Sequence, residues 1–466
     1  MQGTETTTTD TAARAPIDGL PPGPRHPRLL QDVATVTRLR PFLRAAQRRY
    51  GDIFTVRVHR FGNIVAVADP QLIKRTFTAS PRTLYSGEGS ALGPVLGINS
   101  LLVIDEDVHL RQRKLLLPPF HGERMKAYEP LIERIAREEV AGWPQGVEFP
   151  AAPSTLRITL RAILVAVFGA HDELLDRLER LIPRMTELGS ALTPFPLLQK
   201  DLGPLSPWGR FTRMRAEFDR LCDGLIEEAR RDPGLADRPD VLALMVQARS
   251  EDGAPMRDEE IRDQLMTMLA AGHETTAATL AWTVERLRRS PDVLARLVEE
   301  VDHGGREYRD AVIREVQRLR PVIMFSIRIV KRPFELGGYV LPPGTRIALG
   351  GALTHYDERL FPDPLRFWPE RFLGRMPETY AWIPFGGGIR RCIGATFAHM
   401  EMEVVLRTIL QTWTLEPTGA APEKLKFRGV AYAPADGGLA RVARRAATPP
   451  QDDRQAARGV LTGAAA

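Results

Sequence analysis

The sequence predicts a mainly α-helical protein with small β-sheets, that is, an α+β fold. The strongest indication is an apolar pattern with helical spacing from about residue 258 to residue 290. Its length of about 30 residues is well above the roughly 12 of a usual helix, so we expect this helix to cross the whole core. Further helical patterns cover much of residues 125–249, whereas residues 54–58 and 64–67 alternate as short strands.

The chain has 466 residues, of which 43% are hydrophobic, and this is enough for a large core. Its two ends, residues 1–19 and 445–466, are rich in Thr, Ala and charged residues and are expected to be disordered. No apolar run approaches the roughly 20 residues that span a bilayer, and no signal-peptide pattern is visible. We therefore expect a soluble, cytoplasmic protein without a membrane span.

Charge and cysteine content argue against several classes of function. Lys and Arg total 64 against 58 Asp and Glu, a net charge of +6. No nucleic-acid motif accompanies this modest excess, so we expect no nucleic-acid partner, and an acidic protein partner fits better. Cys222 lies in an amphipathic helical pattern and is expected to pack in the core. Neither Cys222 nor Cys392 belongs to a CxxC pair, which argues against a zinc ribbon or an iron–sulfur site.

The N-terminal part combines short elements with an irregular segment. After a proline-rich start at residues 20–24, the pattern predicts a helix over about 40–50 and then the pair of strands. Asp69 and Pro70 predict the cap and the first position of a short helix. Residues 86–102 are rich in Gly, Leu and Ser and irregular, as binding loops often are.

A basic helical stretch begins near His109 and ends before Pro118. His109 and Arg113 are four residues apart, and they therefore share one face of the helix. Spacing alone favours an ordinary solvated basic face at this place.

The middle of the long helix has an unusual composition. Asp258 is its expected N-cap, and residues 271–276 read Ala-Gly-His-Glu-Thr-Thr. Glycine inside a helix costs about 1 kcal/mol relative to alanine. Small side chains at residues 271 and 272 would leave room for a ligand, beside which Glu274 and Thr275 offer a carboxylate and a hydroxyl. The alternative is a pair of threonines that pack or bond back to the preceding turn.

A glycine-rich loop with one cysteine, residues 385–394, is the strongest chemical signal. A helical pattern opens directly after Cys392, so the thiol would lie at a helix N-terminus, where free N–H groups lower its pKa. Gly388 and Gly394 would let a flat, bulky group approach the backbone. A thiolate flanked by bare backbone is one way to hold a haem iron, and the alternative is a glycine turn beside an ordinary buried cysteine.

The segment Phe385-x-x-Gly388-x-Arg390-x-Cys392-x-Gly394 resembles the haem-binding signature of the cytochrome P450 superfamily at every signature position. The resemblance is to soluble bacterial, actinobacterial-type members, although both ends of this chain are longer than such members usually need. It implies one haem-thiolate monooxygenase domain over residues 20–444, folded as a triangular prism with the long helix over the haem, and we expect a monomer. Residues 193–208, which prolines interrupt, resemble the family's mobile lid and could equally be an ordinary loop.

The resemblance implies roles for the residues of these motifs. Cys392 would ligate the iron of haem b, Thr275 would hold the O2 molecule during its activation, and Glu274 would link it to solvent protons. The residues expected along the haem are Ala271, Gly272, Phe385, Gly388 and Gly394, and those expected to bind its propionates are His109, Arg113, Arg328, Arg390 and, as a weaker candidate, His355.

Three further charged residues resemble the family's buried network behind the haem loop. Glu315 and Arg318 are three residues apart on one helix face, which by spacing alone is an ordinary surface pair. Arg371, in the context Phe-Trp-Pro-Glu-Arg-Phe, would complete the network. Its role would be structural, because the loss of one member would leave a buried charge unpaired.

The substrate is expected to be a hydrophobic small molecule, because the candidate pocket residues are apolar. A steroid or terpenoid, a fatty acid, and a macrocycle or peptide natural product all remain open. Residues 321–328 resemble a strand that edges the pocket, and residues 429–432 its last turn. The candidate pocket residues are Leu92, Leu96, Leu101, Phe195, Leu197, Met268, Val322, Met324, Phe325 and Val430.

No flavin or ferredoxin domain is visible in the sequence, so electrons from NAD(P)H would arrive through a separate ferredoxin reductase and ferredoxin. The acidic ferredoxin would dock near Cys392, on Arg391, Arg111 and Lys114. One alternative is a peroxide-driven peroxygenase or an isomerase, and another is a non-catalytic haem-binding sensor or carrier, which would have no use for an acid next to an alcohol. A cysteine hydrolase lacks a suitable histidine, since the nearest one, His399, lies on the following helix.

Overall fold

A computed structural model describes residues 17–59, 61–90, 92–120, 124–169, 172–193, 195, 198–251, 253–428 and 431–445. The helices are α1 (Arg28–Thr37), α2 (Leu39–Tyr50), α3 (Pro70–Phe77), α4 (Gly93–Leu96), α5 (Glu106–Leu116), α6 (Arg124–Ala141), α7 (Ala152–Phe168), α8 (Asp172–Leu192), α9 (Pro207–Arg231), α10 (Val241–Gln247), α11 (Asp258–Arg288), α12 (Pro291–Asp302), α13 (Glu307–Leu319) and α14 (Ala395–Thr412). The strands are β1 (Ile17–Asp18), β2 (Ile53–Val58), β3 (Gly62–Val67), β4 (Leu84–Tyr85), β5 (Phe149–Pro150), β6 (Ser326–Val330), β7 (Phe334–Leu336), β8 (Tyr339–Leu341), β9 (Arg346–Leu349), β10 (Trp413–Leu415), β11 (Leu425–Arg428), β12 (Ala431–Pro434), β13 (Leu439–Ala440) and β14 (Val442–Arg444). This content confirms the predicted mainly α-helical fold with small sheets.

The strands form one five-stranded sheet and several smaller ones. The larger sheet has the order β2-β3-β9-β6-β4, in which β3 and β9 are parallel and the other neighbours are antiparallel. A three-stranded sheet has the order β1-β8-β7, and the pairs β10-β14, β11-β12 and β13-β5 complete the set. Two apolar clusters lie on the five-stranded sheet, while the largest cluster lies among the helices.

Helix α11 is the centre of the helical part, and its 31 residues match the predicted length. It packs most extensively against α7, and it also contacts α9, α13 and α14. Its N-cap is Arg257, one residue before the predicted Asp258, because the Glu260 carboxylate accepts the Arg257 backbone N–H at 2.9 Å. Three acidic residues in the first turn then face the positive end of the helix dipole.

Several local predictions can be compared with the elements. Asp69 caps α3 by accepting the Leu72 N–H at 2.8 Å, with Pro70 at the first position, as predicted. The strand expected over residues 321–328 is β6 and begins only at Ser326. Strand β1 lies within the N-terminal stretch that was expected to be disordered, and Ile17 pairs with Tyr339 of β8. Within the described residues, no helix is long and apolar enough to cross a membrane.

Candidate active site

The glycine-rich loop folds back on itself before α14. The Cys392 N–H donates to the Phe385 carbonyl at 3.0 Å, and Phe385 packs half-buried against the helical core. Gly388 has φ +61°, and a Cβ there would lie 1.9 Å from the Phe77 carbonyl oxygen, so its glycine is required by α3. A Cβ on Gly394, in contrast, would meet nothing within 4 Å. Only the second glycine leaves open space, which corrects the shared role that the sequence suggested for the two.

The Cys392 thiol is accessible, yet protein surrounds it deeply enough to desolvate a charge. This desolvation raises the pKa of the thiol, while a hydrogen bond from Gly394 and the charges of Arg391 and Arg113 oppose the rise. The prediction that the helix N-terminus lowers the pKa of the Cys392 thiol is therefore wrong for the protein without a bound metal. A metal cation that binds the sulfur deprotonates a thiol outright, which removes the need for a lowered pKa.

Three arginines, Arg113, Arg328 and Arg390, lie around the buried side chain of His109, and the Asp105 carboxylate lies near the same ring. We call these three arginines and His109 the cation cluster. Arg390 donates to the Leu101 and Ile104 carbonyls at 2.9 and 2.6 Å and pairs with Asp105. Among the described residues, the Arg328 side chain donates to the carbonyl of its neighbour, Ile327, alone, at 2.9 Å, and burial lowers its pKa to about 10. A small cavity beside these arginines is lined by Thr76, Phe77, Ala79, Pro81, Leu84, Asp105 and Ile389.

His109 is buried in the same cluster, and its Nδ1 atom has no hydrogen-bond partner within the described residues. Burial first, and then the charges of Arg390 and Arg113, lower its pKa to about 3, so the ring is neutral at pH 7. Arg113 is half-buried and lies close enough to Cys392 for the two charges to interact. The structure thus brings together four of the five residues that were predicted to bind propionates.

The fifth, His355, belongs elsewhere. Its Nε2 accepts the Ile383 N–H at 3.0 Å, and its carbonyl accepts from Arg318 at 2.7 Å. The ring is fully buried and stacks edge-on to Phe361. His355 therefore joins the interior behind the glycine loop rather than the cation cluster, and we withdraw it as a propionate ligand.

Helix α11, all of which is described, opens at the predicted motif. Between Glu260 and Arg288, Ala271 is the one residue with an exposed side chain. Close packing against α7, rather than space for a ligand, explains the glycine at position 272, because a Cβ there would lie 3.2 Å from Ile163. The Thr275 hydroxyl donates back to the Ala271 carbonyl at 2.9 Å, as the alternative interpretation proposed, yet this hydroxyl remains accessible.

Glu274 lies beside this opening and is half-buried. Desolvation raises the pKa of its carboxyl above the ordinary value, and the Arg428 charge and a hydrogen bond from Thr186 partly oppose this. A larger fraction of the carboxyl therefore carries a proton at a given pH. Such a group can donate a proton as well as accept one.

The buried charge network behind the loop is complete. Arg318 binds Glu315 through two nitrogens at 2.7 and 2.8 Å, and Arg371 binds Glu315 at 3.2 Å. Arg318 also donates to the carbonyls of His355, Pro364 and Arg366. These contacts tie α13 to the segment that leads to the glycine loop.

The predicted pocket residues do not lie together. Leu92, Leu96, Leu101 and Met268 pack in the helical core around α11. Val322 belongs to a small cluster with Trp282. Met324 and Phe325 pack against α2 and the five-stranded sheet, and they therefore do not line a pocket with the other candidates. Phe195 is 56% exposed, and Leu197 and Val430 lie outside the described residues.

Two acidic residues of the site were missed by sequence reasoning. Asp105 precedes α5, and its carboxylate accepts the N–H groups of Ser86, Gly87 and Glu88 at 2.8–3.1 Å besides pairing with Arg390. The run Asp105-Glu106-Asp107 before a helix was the available signal. Glu401 of α14 is fully buried, burial raises the pKa of its carboxyl well above the usual range, and a hydrogen bond from Thr276 of α11 partly opposes this rise. A glutamate on an apolar helix face was its signal.

The residues predicted to receive a redox partner divide into two sets. Arg391 is exposed and close to Cys392. Arg111 instead pairs with Glu260 in the first turn of α11 at 3.9 Å, and Lys114 pairs with Glu251, which precedes α11, at 2.8 Å. The predicted joint role of these three residues is therefore not supported by their placement.

Comparisons with known proteins agree on the family. A sequence model described as Cytochrome P450 matches residues 21–439. A putative cytochrome P450 138 of Mycobacterium tuberculosis is 51% identical over 437 residues, which cover 93% of this chain and 99% of that protein. A putative cytochrome P450 135B1 of the same species is 42% identical over 432 residues, 91% of each chain.

Solved structures share the fold. The haem domain of cytochrome P450DA has a TM-score of 0.78 at 26% identity, covering 92% of this chain and 98% of that one. A cyanobacterial CYP120A1 with bound retinoic acid has a TM-score of 0.79 at 24% identity, covering 92% and 100%. The match spans nearly all of the chain, and the accessible Cys392 lies where the signature predicts it. The chain therefore belongs to the cytochrome P450 family of haem monooxygenases.

Proposed function

We propose that this enzyme hydroxylates a hydrophobic small molecule with O2, using electrons that pass from NAD(P)H through a ferredoxin reductase and a ferredoxin. The observation that carries this proposal is the opening of α11. Between Glu260 and Arg288, this helix exposes the side chain of Ala271 alone, and the Thr275 hydroxyl one turn further on is accessible. The preceding residue, Glu274, has a half-buried carboxyl. An acid and an alcohol at one opening suit proton delivery to oxygen, and a simple haem carrier does not need them.

The residues present fit a haem. Cys392 offers an accessible sulfur, and the space beside Gly394 is open. In the cation cluster Arg328 and Arg390 interact with one carboxylate, Asp105, Arg113 lies near Arg390, and His109 is neutral, so the excess is two positive charges. Two propionates would balance this excess through charge-assisted hydrogen bonds. When bound, the haem supplies the oxygen-activating redox chemistry, which a thiolate ligand favours.

The protein's own residues would then orient, shield and deliver protons. Arg113, Arg328 and Arg390 would hold the carboxylates of the haem, and Phe385, whose carbonyl accepts the Cys392 N–H, would shield one side of the sulfur. The Thr275 hydroxyl can exchange its bond to the Ala271 carbonyl for a bond to an oxygen atom in the opening. Glu274, whose pKa burial raises, can pass a proton to this hydroxyl.

A substrate would meet mainly apolar surface. Leu96, Leu101 and Met268 are buried in the core around α11, and Arg390 of the cation cluster donates to the Leu101 carbonyl. A steroid or terpenoid, a fatty acid, and a macrocycle or peptide natural product are the classes that such side chains accommodate. A panel of these compounds, titrated into haem-loaded protein, would show binding as a shift of the main haem absorption band.

The test of the proposed reaction uses two electron sources and two matched variants. Product formed with ferredoxin, reductase and NAD(P)H should fall about 100-fold in Thr275→Val and remain near wild type in Thr275→Ser. Cys392→Ser should lose the thiolate-type spectrum of the reduced, carbon-monoxide-bound protein. Turnover with peroxide that exceeds turnover with ferredoxin and is unaffected in Thr275→Val would instead establish a peroxygenase.

The docking of a ferredoxin can be tested at Arg391, which is exposed and makes no ion pair with a described residue. Arg391→Gln should slow reduction by ferredoxin and flatten its dependence on salt. Lys114→Gln is the matched control, because Lys114 is already paired with Glu251. Equal slowing in both variants would contradict a dock at Arg391.

A further inference from the structure

Helix α1 is attached to the five-stranded sheet by its polar face. Gln31 is almost fully buried, donates to the Pro24 and His26 carbonyls at 3.1 and 2.8 Å, and accepts the Arg57 N–H of β2 at 2.9 Å. Asp32 accepts the His59 N–H at 3.1 Å and pairs with the His59 ring. This is the reverse of a usual surface helix, which turns its polar face outward.

The apolar face of α1 consequently points away from the protein. Leu29, Leu30, Val33 and Val36 are 52–85% exposed. Their spacing of one, four and seven residues puts them on one stripe of the helix. Phe61, which follows the His59 that binds α1, is 46% exposed as well. An exposed, contiguous apolar stripe usually marks a surface that binds another protein or a membrane.

Unpaired positive charge frames this stripe. Arg25, Arg28 and Arg38 are exposed and make no ion pair with any residue that the structure describes. The acidic residue of α1, Asp32, is paired with His59, and the charge of Arg28 also helps to lower the pKa of its carboxyl. The surface thus combines outward apolar side chains with exposed guanidinium groups at both ends of the helix.

Two other occupants fit less well. Residues 1–16 of this chain contain one large apolar side chain, Met1, so their sequence cannot supply a matching apolar face. A second copy of the chain would bring like charges against Arg25, Arg28 and Arg38. A helix of ten residues is also only about 15 Å long, which is short for the roughly 800 Å² per partner that a stable dimer buries.

We propose that α1 lies in the surface of a bilayer that contains anionic lipid, with Leu29, Leu30, Val33 and Val36 inserted and Arg25, Arg28 and Arg38 on the headgroups. Interfacial helices combine these same two features, an inserted apolar face and flanking cations. The helix lies on the membrane and does not cross it, because ten residues are too few to span a bilayer. The proposal requires neither the haem nor the proposed reaction.

The test is flotation of the haem-loaded protein with vesicles of phosphatidylcholine alone and of phosphatidylcholine with phosphatidylglycerol. Wild type should float with the anionic vesicles only. The double variant Leu30→Glu and Val33→Glu, and the triple variant of Arg25, Arg28 and Arg38 to Gln, should each lower the partition coefficient at least about tenfold. Leu365→Glu, at an equally exposed leucine outside this surface, should bind like wild type.

Folding and self-association are checked on the same samples. All variants should keep the wild-type unfolding midpoint and haem spectrum, because the changed side chains are exposed. Equal flotation of wild type and the double variant would overturn the proposal, as would wild type that floats with neither vesicle. A wild-type dimer that the double variant breaks, without binding to vesicles, would assign the surface to a second copy and would also overturn it.

Discussion

The two arginine-rich regions near the glycine loop differ in how far acceptors in the protein satisfy their guanidinium groups. In the buried network, Arg318 and Arg371 face Glu315, and the Arg318 guanidinium is satisfied by this carboxylate and three carbonyls. In the cation cluster, Asp105 pairs with Arg390, and Arg328 donates, among the described residues, to its own neighbour alone. An arginine whose donors are satisfied inside the protein supports the fold, whereas an arginine with spare donors is available for a ligand.

The largest effect is expected from Glu315→Gln, which removes the charge that balances the network. Arg318 is fully buried, so the free energy of unfolding should fall by about 3–5 kcal/mol. Chemical denaturation followed by circular dichroism measures this loss. The control, Glu358→Gln, breaks an exposed pair with Arg44 and should cost no more than about 1 kcal/mol. Equal losses in the two variants would erase the distinction between structural and surface pairs.

Sequence reasoning found the arginines of both regions and Glu315 but missed Asp105. Cys392 precedes α14 and the long helix has its expected length, as their local patterns predicted, whereas the buried position of Glu315 was expected from the family resemblance and not from spacing. His355 was misplaced because its burial and its contact with Ile383 depend on segments far apart in the chain. The Cys392 pKa was misjudged for a similar reason, since desolvation by the surrounding fold outweighs the local effect of the helix N-terminus.

Other predictions were wrong because the residues concerned pair or pack with residues that are far away in the sequence. Lys114 looks free in the sequence and is paired in the structure with Glu251, 137 residues away. Met324 lies in an apolar run that suggested a pocket wall, yet it packs against α2 and the five-stranded sheet. Local spacing predicts which residues share a helix face, and tertiary packing decides what that face contacts.

The second prediction concerns the cation cluster. Arg328→Met should weaken haem binding by about 10- to 100-fold, because a charge-assisted hydrogen bond contributes about 1.5–3 kcal/mol. The haem-free protein should lose no stability, since the variant removes a buried charge that lacks its own carboxylate. Haem titration and denaturation of the haem-free protein measure the two quantities. A loss of stability as large as that of Glu315→Gln would place Arg328 among the structural arginines.

Asp105→Asn tests the single acid of the cation cluster. The amide keeps an oxygen for the N–H groups of Ser86 and Gly87 but loses the charge that faces Arg390. We expect a fall of about 1–2 kcal/mol in the free energy of unfolding of the haem-free protein, which is smaller after haem has bound. Denaturation of both forms measures this difference. An identical loss of unfolding free energy in the two forms would show that the haem carboxylates do not interact with the Arg390 guanidinium.

The smallest effect is a pH dependence at His109. Its pKa is about 3 in the folded protein and about 6.5 in an unfolded chain, so below pH 6.5 the unfolded state takes up a proton that the folded state does not. Stability should therefore fall as the pH drops from 6.5 towards 3. His109→Gln should remove on the order of 1 kcal/mol of this fall by pH 5. Denaturation midpoints at pH 7 and pH 5 give the difference between the two proteins.

The same measurement on haem-loaded protein sharpens the argument. The charges of Arg390, Arg113 and Arg328 help to keep His109 neutral, and Asp105 opposes them. Propionates bound by these arginines would offset their charge and let the pKa of His109 rise. The acid sensitivity that His109 causes should then shrink when haem is bound, whereas the contribution of His355, which faces Arg318 instead, should not change. Parallel pH curves for wild type and His109→Gln in both forms would show that the cation cluster does not control His109.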